Sequence, residues 1–183
     1  AVEDLGLASN TLIVFASDNG GYIHYSHAFH NISSNGPLRG QKTEVYEGGH
    51  RVPCIAWWPG KVPAGSVTDQ VTMTMDMFPT FAHMAGADIP SSHNPDGMDI
   101  RPVLYDNRQL GERSVFWKIG EDRAARKGPW KLCLVEGGEP ELFHLGEDLG
   151  EQNDLSEERT DVLQQMSDLY RAWELEVTAG YDE

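Results

Sequence analysis

The sequence of 183 residues predicts an α/β fold with a second, smaller part made of an antiparallel sheet and a helix. Two short apolar runs, residues 12–15 (LIVF) and 52–58 (VPCIAWW), predict the α/β part. The first run ends in an acid, an amide and two glycines, as a buried parallel strand does when its C-terminal edge faces a site. The smaller part is predicted because strand-like segments within residues 114–145 are separated by tight turns and precede a helical pattern.

The elements of the first part follow from composition and periodicity. Residues 20–51 are rich in Gly, Asn, Ser and His, and a loop of this length in a compact domain is uncommon unless it is functional. Residues 68–74 are predicted to form a short strand. A helix is predicted to follow, with Asp76 as its N-cap and Gly86 as its stop. Residues 87–113 are predicted to be a connector, because Pro, Asp, Asn and Gly dominate them.

The smaller part has the pattern of a meander followed by a helix. The segments SVFWKIG, RAARKGPWKLCLV and ELFHL are predicted to be strands joined by short turns, which favours a small antiparallel sheet. Ser156 is predicted to cap the last helix, with Glu157 and Glu158 in its first turn. We expect the apolar face of this helix to pack on the meander. That face consists of Val162, Leu163, Met166, Leu169, Tyr170, Trp173 and Val177.

The charge of the chain excludes some partners. The formal net charge is −15, from 14 basic and 29 acidic residues, and most of it lies in residues 136–183. Because phosphate binding needs basic surface, we expect no nucleic-acid partner. No run approaches the roughly 18 apolar residues of a membrane span, so we expect none. The acidity itself is typical of a solvated surface.

Three histidines in the long loop, His24, His27 and His30, raise the possibility of a zinc site. Two glycines precede them and weaken the helix that would gather them on one face. A locally hydrogen-bonded loop is therefore the plainer interpretation. His24 and His27, together with His93 in the connector, could still line a substrate entrance.

The pair Asp18-Asn19 follows the first apolar run directly. A carboxylate and an amide carbonyl are hard oxygen ligands, which suit Ca²⁺ or Mg²⁺ better than zinc. The end of a strand is also where α/β sheets place ligands. Asp-Asn-Gly is an ordinary turn sequence as well, so the pair by itself leaves both interpretations open.

Lys42 stands in the Gly-rich part of the same long loop, with Arg39 and Arg51 near it in sequence. A lysine ammonium is a compact cation that can hold an anionic oxygen or hand a proton to a leaving group. A solvated lysine is the alternative interpretation for a residue in such a turn.

Taken together, these segments resemble the type I, formylglycine-dependent sulfatases, which include the arylsulfatases, of the alkaline-phosphatase-like superfamily. The resemblance rests on segments that occur in order over residues 11–175. These are SDNGG, NGPLRGQKTEVYEGGHRVP, IAWWPGKVPAGSVTDQ, MDMFPTFAHMAGADIP, DGMDIRPVL, KGPWKLCL and PELFHLGEDLGEQNDL. The combination of SDNGG with a lysine-containing loop that ends in EGGxRVP is specific. The chain is therefore similar to the C-terminal part of such an enzyme.

The resemblance implies a division into domains. Residues 1–110 would be the C-terminal portion of an alkaline-phosphatase-like catalytic sheet domain, and residues 111–183 the family's small C-terminal subdomain. It also implies site roles. Asp18 and Asn19 would supply two ligands of an active-site Ca²⁺, and Lys42 would bind a sulfate oxygen and assist departure of the alcohol.

The same resemblance implies sulfate-ester hydrolysis by a parent enzyme whose nucleophile, a formylglycine, is made within a Cys/Ser-x-Pro-x-Arg motif. No such motif occurs in these residues. We therefore expect the chain alone to be inactive, and either to require a missing N-terminal part or to self-associate through an uncovered sheet edge. The family implies a periplasmic, secreted or lysosomal location. Two alternatives stay open, namely a non-catalytic module that binds Ca²⁺ or a sulfated ligand, and a phosphodiesterase or phosphonate hydrolase of the same superfamily.

Overall fold

The computed structural model describes residues 1–26, 29–30 and 33–179. In these residues the strands are β1 (Ile13–Ala16), β2 (His24–Ser26), β3 (Phe29–His30), β4 (Cys54–Trp57), β5 (Ser114–Ile119), β6 (Asp122–Lys127), β7 (Trp130–Leu134) and β8 (Glu141–His144). The α-helices are α1 (Glu47–His50), α2 (Met77–Met84), α3 (Arg101–Asp106) and α4 (Thr160–Thr178), and short 3₁₀ turns lie at Ala8–Asn10 and Thr74–Asp76.

The chain divides into two compact units, each described by itself. The first consists of residues 1–17 and 53–111, and the second of residues 18–52 and 112–183. The predicted α/β fold class, with a smaller part made of an antiparallel sheet and a helix, is confirmed. The domain boundary near residue 110 stays a prediction.

In the first unit, β1 and β4 pair with each other in antiparallel orientation, with Phe15 opposite Ile55 and Ala16 opposite Cys54. The expectation of buried parallel strands is therefore wrong for the described part of the chain. Phe15 and Ile55 keep 63% and 62% of their surface exposed. The apolar runs LIVF and VPCIAWW were correctly predicted to contain strands, but apolar composition does not determine strand direction.

Helix α2 was predicted correctly, and the chain turns out of it at Gly86 with φ 72°. The predicted strand at residues 68–74 is wrong, because this stretch has no strand and leads into the 3₁₀ turn before α2. Asp76 does not cap the helix through its side chain. Its buried carboxylate instead accepts hydrogen bonds from Met73 N at 2.7 Å and Met98 N at 2.8 Å. The predicted connector contains the six-residue helix α3, which is too short for a periodic signal.

The meander of the second unit is confirmed. Strands β5, β6, β7 and β8 form one antiparallel sheet in sequence order, and α4 packs on β6 and β7. Its core consists of Ala125, Leu132, Leu142, Val162, Met166 and Tyr170. The predicted face of the last helix was thus largely correct.

The predicted N-cap of the last helix is wrong. Helix α4 begins at Thr160, and Ser156 instead lies in a turn held by Asp154. The carboxylate of Asp154 accepts hydrogen bonds from both the backbone N and the hydroxyl of Ser156, each at 2.9 Å. A local side-chain bond of this kind competes with helix initiation. Among the described residues, no helix combines the length and apolar character needed to cross a membrane.

Candidate active site

The candidate site lies in the second unit, where two loop segments run side by side. One is residues 18–24, which follow β1, and the other is residues 35–51, which end in α1. Gly20 N donates a hydrogen bond to Gly49 O at 2.9 Å. A Cβ placed on Gly20 would lie 1.7 Å from Gly48 O, so only glycine permits this approach of the two backbones. The glycine pairs in SDNGG and EGGHRVP thus fit against each other.

Two side-chain amides tie the segments together further along. Asn35 accepts a hydrogen bond from Gly21 N at 2.9 Å and donates to Gly21 O at 3.0 Å. Gln41 accepts hydrogen bonds from the backbone N of Ile23 and of His24, both at 2.8 Å. The amide of Gln41 thus holds the chain beyond Gly21 in place.

Lys42 is brought next to the Asp18-Asn19 segment by the main chain. Its backbone N donates to Gly21 O at 3.3 Å, two residues after Asn19. Its side-chain Nζ lies 5.6 Å from the centre of the Tyr22 ring, within the range of a cation–π contact. The turn around Lys42 is sharp, since Gly40 and Thr43 both have positive φ, at 82° and 75°.

Asp18 and Asn19 fit part of a hard-cation shell. Asp18 is exposed at the start of the segment, and Asn19 Nδ2 donates to Gly20 O at 3.0 Å. Because Nδ2 is used in this hydrogen bond, the side-chain carbonyl oxygen of Asn19 is the atom that would bind a Ca²⁺ or Mg²⁺. Within residues 1–26, 29–30 and 33–179, no group of three or more His, Cys, Asp or Glu is placed to hold a metal. The two oxygen donors are therefore the chain's candidate contribution to such a site.

Two of the three predicted substrate-side histidines, His24 and His93, lie within the described residues. His24 is exposed, and its backbone is held by Gln41. His27 lies outside the described residues. His93 belongs to the other unit, in a turn where its backbone N donates to Pro90 O at 2.8 Å. Their role in substrate binding stays a prediction, as do the roles of Asp18, Asn19 and Lys42.

Sequence reasoning missed a largely buried ionic group that contacts α1, here called the Lys131 cluster (Glu47, His50, Arg51, Arg126, Lys131 and Glu151). Lys131 Nζ lies 2.9 Å from Glu47 Oε1 and 2.9 Å from Glu151 Oε1. It also lies 3.0 Å from His50 Nε2. An ammonium has three N–H donors, so these three contacts use its full capacity.

Glu47 joins α1 to the cluster through its backbone N and through its second carboxylate oxygen as well. Glu47 N donates to Glu151 Oε2 at 2.7 Å, and Glu47 Oε2 accepts from Arg51 at 3.2 Å. His50 stacks on Trp117 of β5 with ring centres 4.0 Å apart. The short helix that ends the Lys42 loop is therefore bonded to the meander on several sides.

Burial and charge shape the pKa values in this cluster. Burial alone would raise the pKa of Glu47, but its interactions with Lys131, His50 and Arg126 together outweigh burial, and the pKa falls below its usual value. For Glu151 burial dominates and raises the pKa, in spite of Lys131. Burial and repulsion by Lys131 lower the pKa of His50 to about 3. His50 is therefore neutral near pH 7. With its hydrogen on Nδ1, Nε2 accepts from the ammonium, and Val45 O lies 3.2 Å from the same nitrogen.

A second contact anchors the start of the Lys42 loop. Arg39 donates to Glu141 Oε1 at 3.2 Å and to Glu151 O at 3.1 Å, and its guanidinium lies 3.8 Å from the centre of the Tyr46 ring. The Tyr46 hydroxyl donates to Glu141. Burial, followed by the bond to Glu141, raises the pKa of Tyr46, so the phenol stays protonated. Both ends of the Lys42 loop are thus bonded to residues of the meander and of the segment that follows it.

Comparison with known proteins defines the class to which this arrangement belongs. The sequence model of the family described as Sulfatase matches residues 1–87. The chain is 35% identical to N-acetylgalactosamine-6-sulfatase of Sus scrofa over an alignment 194 positions long, which covers 88% of this chain and 37% of the relative. It is 40% identical to steryl-sulfatase of Mus musculus over 119 residues, which cover 64% of this chain and 19% of the relative.

Solved structures support the same family. The crystal structure of Ps i-CgsB superposes with a TM-score of 0.85 and 30% identity, covering 94% of this chain and 38% of that one. The chain belongs to the sulfatase family, and its fold is that of the C-terminal part of these alkaline-phosphatase-like enzymes. It spans somewhat more than a third of the length of the N-acetylgalactosamine-6-sulfatase.

Proposed function

We propose that the protein containing this chain hydrolyses sulfate esters to an alcohol and sulfate. The observation that carries the proposal is the hydrogen bond from Lys42 N to Gly21 O. This bond holds a cation-bearing turn beside a segment that begins with two hard oxygen donors. A sulfate ester is an anion whose hydrolysis needs both a cation for the sulfate oxygens and a donor for the departing alkoxide. The names of the relatives support the same reaction class.

Lys42 serves as the cationic and acidic group in this proposal. Its ammonium neutralises charge on a sulfate oxygen and can donate a proton to the oxygen of the leaving alcohol. Tyr22 limits where this ammonium can go, since the Nζ lies 5.6 Å from the centre of its ring. The tight turn around Lys42 fixes its backbone, so most of its freedom lies in the side chain itself.

Asp18 and Asn19 serve as two ligands of a divalent cation, with Ca²⁺ preferred over Mg²⁺. Such a cation supplies charge neutralisation for the sulfate oxygens. Asp18 contributes an anionic oxygen and Asn19 a neutral carbonyl oxygen, which is the mixture that hard cations take. The hydrogen bond between Gly20 and Gly49 holds these two residues against the Lys42 loop.

The nucleophile lies outside these residues in this proposal. Cys54 and Cys133 are followed by IAWW and LVEG, and neither stands in the Cys/Ser-x-Pro-x-Arg pattern from which formylglycine is made. Cys133 is also buried, and burial raises the pKa of its thiol to about 12, so it is a poor nucleophile. The chain contributes the cation-binding and proton-donating side of the reaction. A periplasmic, secreted or lysosomal location remains a prediction.

The test is turnover of an aryl sulfate by the full protein that carries this chain, with Ca²⁺ and after chelation. We expect calcium-dependent release of the phenol. We expect Asp18→Ala and Lys42→Ala to lower kcat/KM by roughly 100-fold or more, as loss of a preorganised charge does. Lys61→Ala, which removes a lysine from an exposed turn, is the matched control and should change little.

The alternatives are separated by the same protein. Faster turnover of a matched phosphate diester or phosphonate monoester than of the sulfate would contradict the proposal and favour a phosphodiesterase or phosphonate hydrolase. Absence of turnover on all three, together with calcium binding that Asp18→Ala abolishes, would favour the non-catalytic module. Sulfate turnover that is insensitive to Asp18→Ala and Lys42→Ala would refute the site assignment.

A further inference from the structure

We propose that Lys131 is a positioning residue. Through its buried contacts with α1 and Glu151 it holds the Lys42 loop against the Asp18-Asn19 segment. The effect of Lys131 on catalysis rests on the proposed function. Its effect on the order of the two loops can be measured without that function. Lys131 lies on β7, has no exposed surface and is 84 residues from Glu47 in sequence. It has no direct contact with Asp18, Asn19 or Lys42 among the described contacts, so its influence passes through α1 and, by way of Glu151, through Arg39 at the start of the Lys42 loop.

The first step runs from Lys131 to α1. Its ammonium is shared by Glu47 and His50, the first and last residues of that helix. Glu151 completes the link, because one of its oxygens contacts Lys131 and the other accepts from Glu47 N. A four-residue helix has little stability of its own. Its place is therefore determined by these buried contacts.

The second step runs from α1 to both halves of the site. Gly48 N donates to Arg39 O at 2.7 Å, and Gly49 O accepts from Gly20 N at 2.9 Å. A Cβ on Gly49 would lie 1.9 Å from Glu44 O, so the helix is packed against the turn that follows Lys42. A shift of α1 must move both the Lys42 turn and the segment that begins with Asp18.

Backbone strain at Glu151 supports this inference. Glu151 has φ 52°, a left-handed conformation that non-glycine residues rarely adopt. Such outliers persist when surrounding structure holds them and tend to occur where geometry matters for function. Glu151 is buried with an exposed fraction of 1%, and its carboxylate contacts both Lys131 and Glu47 N.

The experiment compares hydrogen exchange in the full protein that carries this chain, as wild type and as Glu151→Gln. An amide has only one acceptor oxygen, so the variant loses either the Lys131 contact or the Glu47 N contact. We expect backbone amides of residues 18–24 and 39–51 to exchange at least roughly tenfold faster. Amides in β5 to β7 should be accelerated less than those of the two loops. Lys127→Met, which removes a half-exposed lysine of the same sheet, is the matched control.

A second variant guards against simple unfolding. Lys131→Met combined with Glu151→Gln removes one positive and one negative charge, so the interior keeps its charge balance. It should retain the meander's protection and lose that of the two loops. Equal loss of protection over the whole unit, or unchanged exchange in residues 18–24 and 39–51, would overturn the inference.

Kinetics separate this inference from the proposed function. If the wild type hydrolyses an aryl sulfate, Glu151→Gln should lower kcat by roughly 10- to 100-fold, as a small misplacement does, with KM changed less than kcat. An equal rise in KM at constant kcat would overturn the positioning role. If the wild type has no such activity but the loops still lose protection, the coupling stands and the proposed function fails.

Discussion

Lys131 Nζ lies 2.9 Å from Glu47 Oε1, and the two side chains retain 0% and 1% of their exposed surface. An ion pair in such a place costs desolvation energy that good geometry must offset. Here the desolvation energy is offset because all three N–H donors of the Lys131 ammonium have partners. Glu47 is also bound by a second cation, Arg51. Removing Lys131 takes from Glu47 and Glu151 the cation they share, and leaves Glu47 with Arg51 and Arg126 at 3.2 Å and 3.7 Å.

Lys131→Met should therefore be strongly destabilising. We expect a loss of about 3–5 kcal/mol in the free energy of unfolding, measured by urea denaturation of the full protein with tryptophan fluorescence. Lys127→Met should stay within about 0.5 kcal/mol of the wild type, as a surface substitution does. A loss for Lys131→Met no larger than that of this control would contradict the picture of a tightly coupled buried cluster.

His50 should make the protein sensitive to mild acid. Its folded pKa is lowered to about 3, whereas an unfolded histidine titrates near about 6.5. Between these values the unfolded state binds one more proton, so stability rises with pH there, by up to about 1.4 kcal/mol per pH unit. The lowered pKa of Glu47 acts in the same direction at lower pH, and the raised pKa of Glu151 opposes it.

In the window between about pH 5 and pH 6.5 free carboxyl groups are mostly ionised, and within the cluster the raised pKa of Glu151 opposes the effect of His50. His50→Gln keeps a hydrogen-bonding side chain but does not titrate. We expect the variant to lose most of the pH dependence of its unfolding free energy in this window. A pH dependence as steep as that of the wild type would show that another group is responsible.

The part of the fold that sequence predicted is the part with local, periodic signals. Helix α4 has its apolar face at helical spacing, and the meander has strands broken by Gly-containing turns, so both were correct. Strand direction for β1 and β4 was wrong, since an apolar run contains no information on pairing. The start of α4 was misplaced because Asp154 and Ser156 form a turn that looks like a cap in sequence.

The candidate site was predictable only where it had a motif. Asp18, Asn19 and Lys42 were selected by resemblance, and the structure places their segments side by side, while their roles stay predictions. Lys131 was missed because a lysine in the strand WKLCL is normally taken as solvent-facing. Its partner Glu47 is 84 residues away. One signal was available, namely a charged residue within an otherwise apolar strand beside buried Leu132 and Cys133.

Gly20→Ala should disrupt the junction of the two site loops. The new Cβ would lie 1.7 Å from Gly48 O, so the backbones must separate. We expect a loss of about 3 kcal/mol in unfolding free energy, at the upper end for overpacking, and a matching loss of any calcium-dependent activity. Gly111→Ala is the control, because a Cβ at Gly111 meets nothing within 4 Å. Equal stability of the two variants would refute the close approach.

Gln41→Ala should loosen the segment that contains His24. The wild-type side chain accepts two backbone hydrogen bonds, from Ile23 and His24, and a part-buried donor left unsatisfied costs about 1–3 kcal/mol. Gln41→Glu keeps an acceptor oxygen and should lose less. Urea denaturation compares both with Gln164→Ala, which alters an exposed position of α4. A ranking in which Gln41→Glu is worse than Gln41→Ala would contradict this role.

The apolar face of β1 and β4 should make the isolated 183-residue chain self-associate. Phe15 and Ile55 lie opposite each other across the strand pair and are both more than half exposed. Uncovered apolar strands of this kind pair with another chain. We expect sedimentation velocity to show species larger than a monomer at micromolar concentrations, and Phe15→Ser with Ile55→Ser to shift them toward the monomer. The control Leu175→Ser changes an exposed apolar residue of α4 and should leave the distribution unaltered. A wild-type chain that sediments as a monomer at high concentration would contradict the expectation.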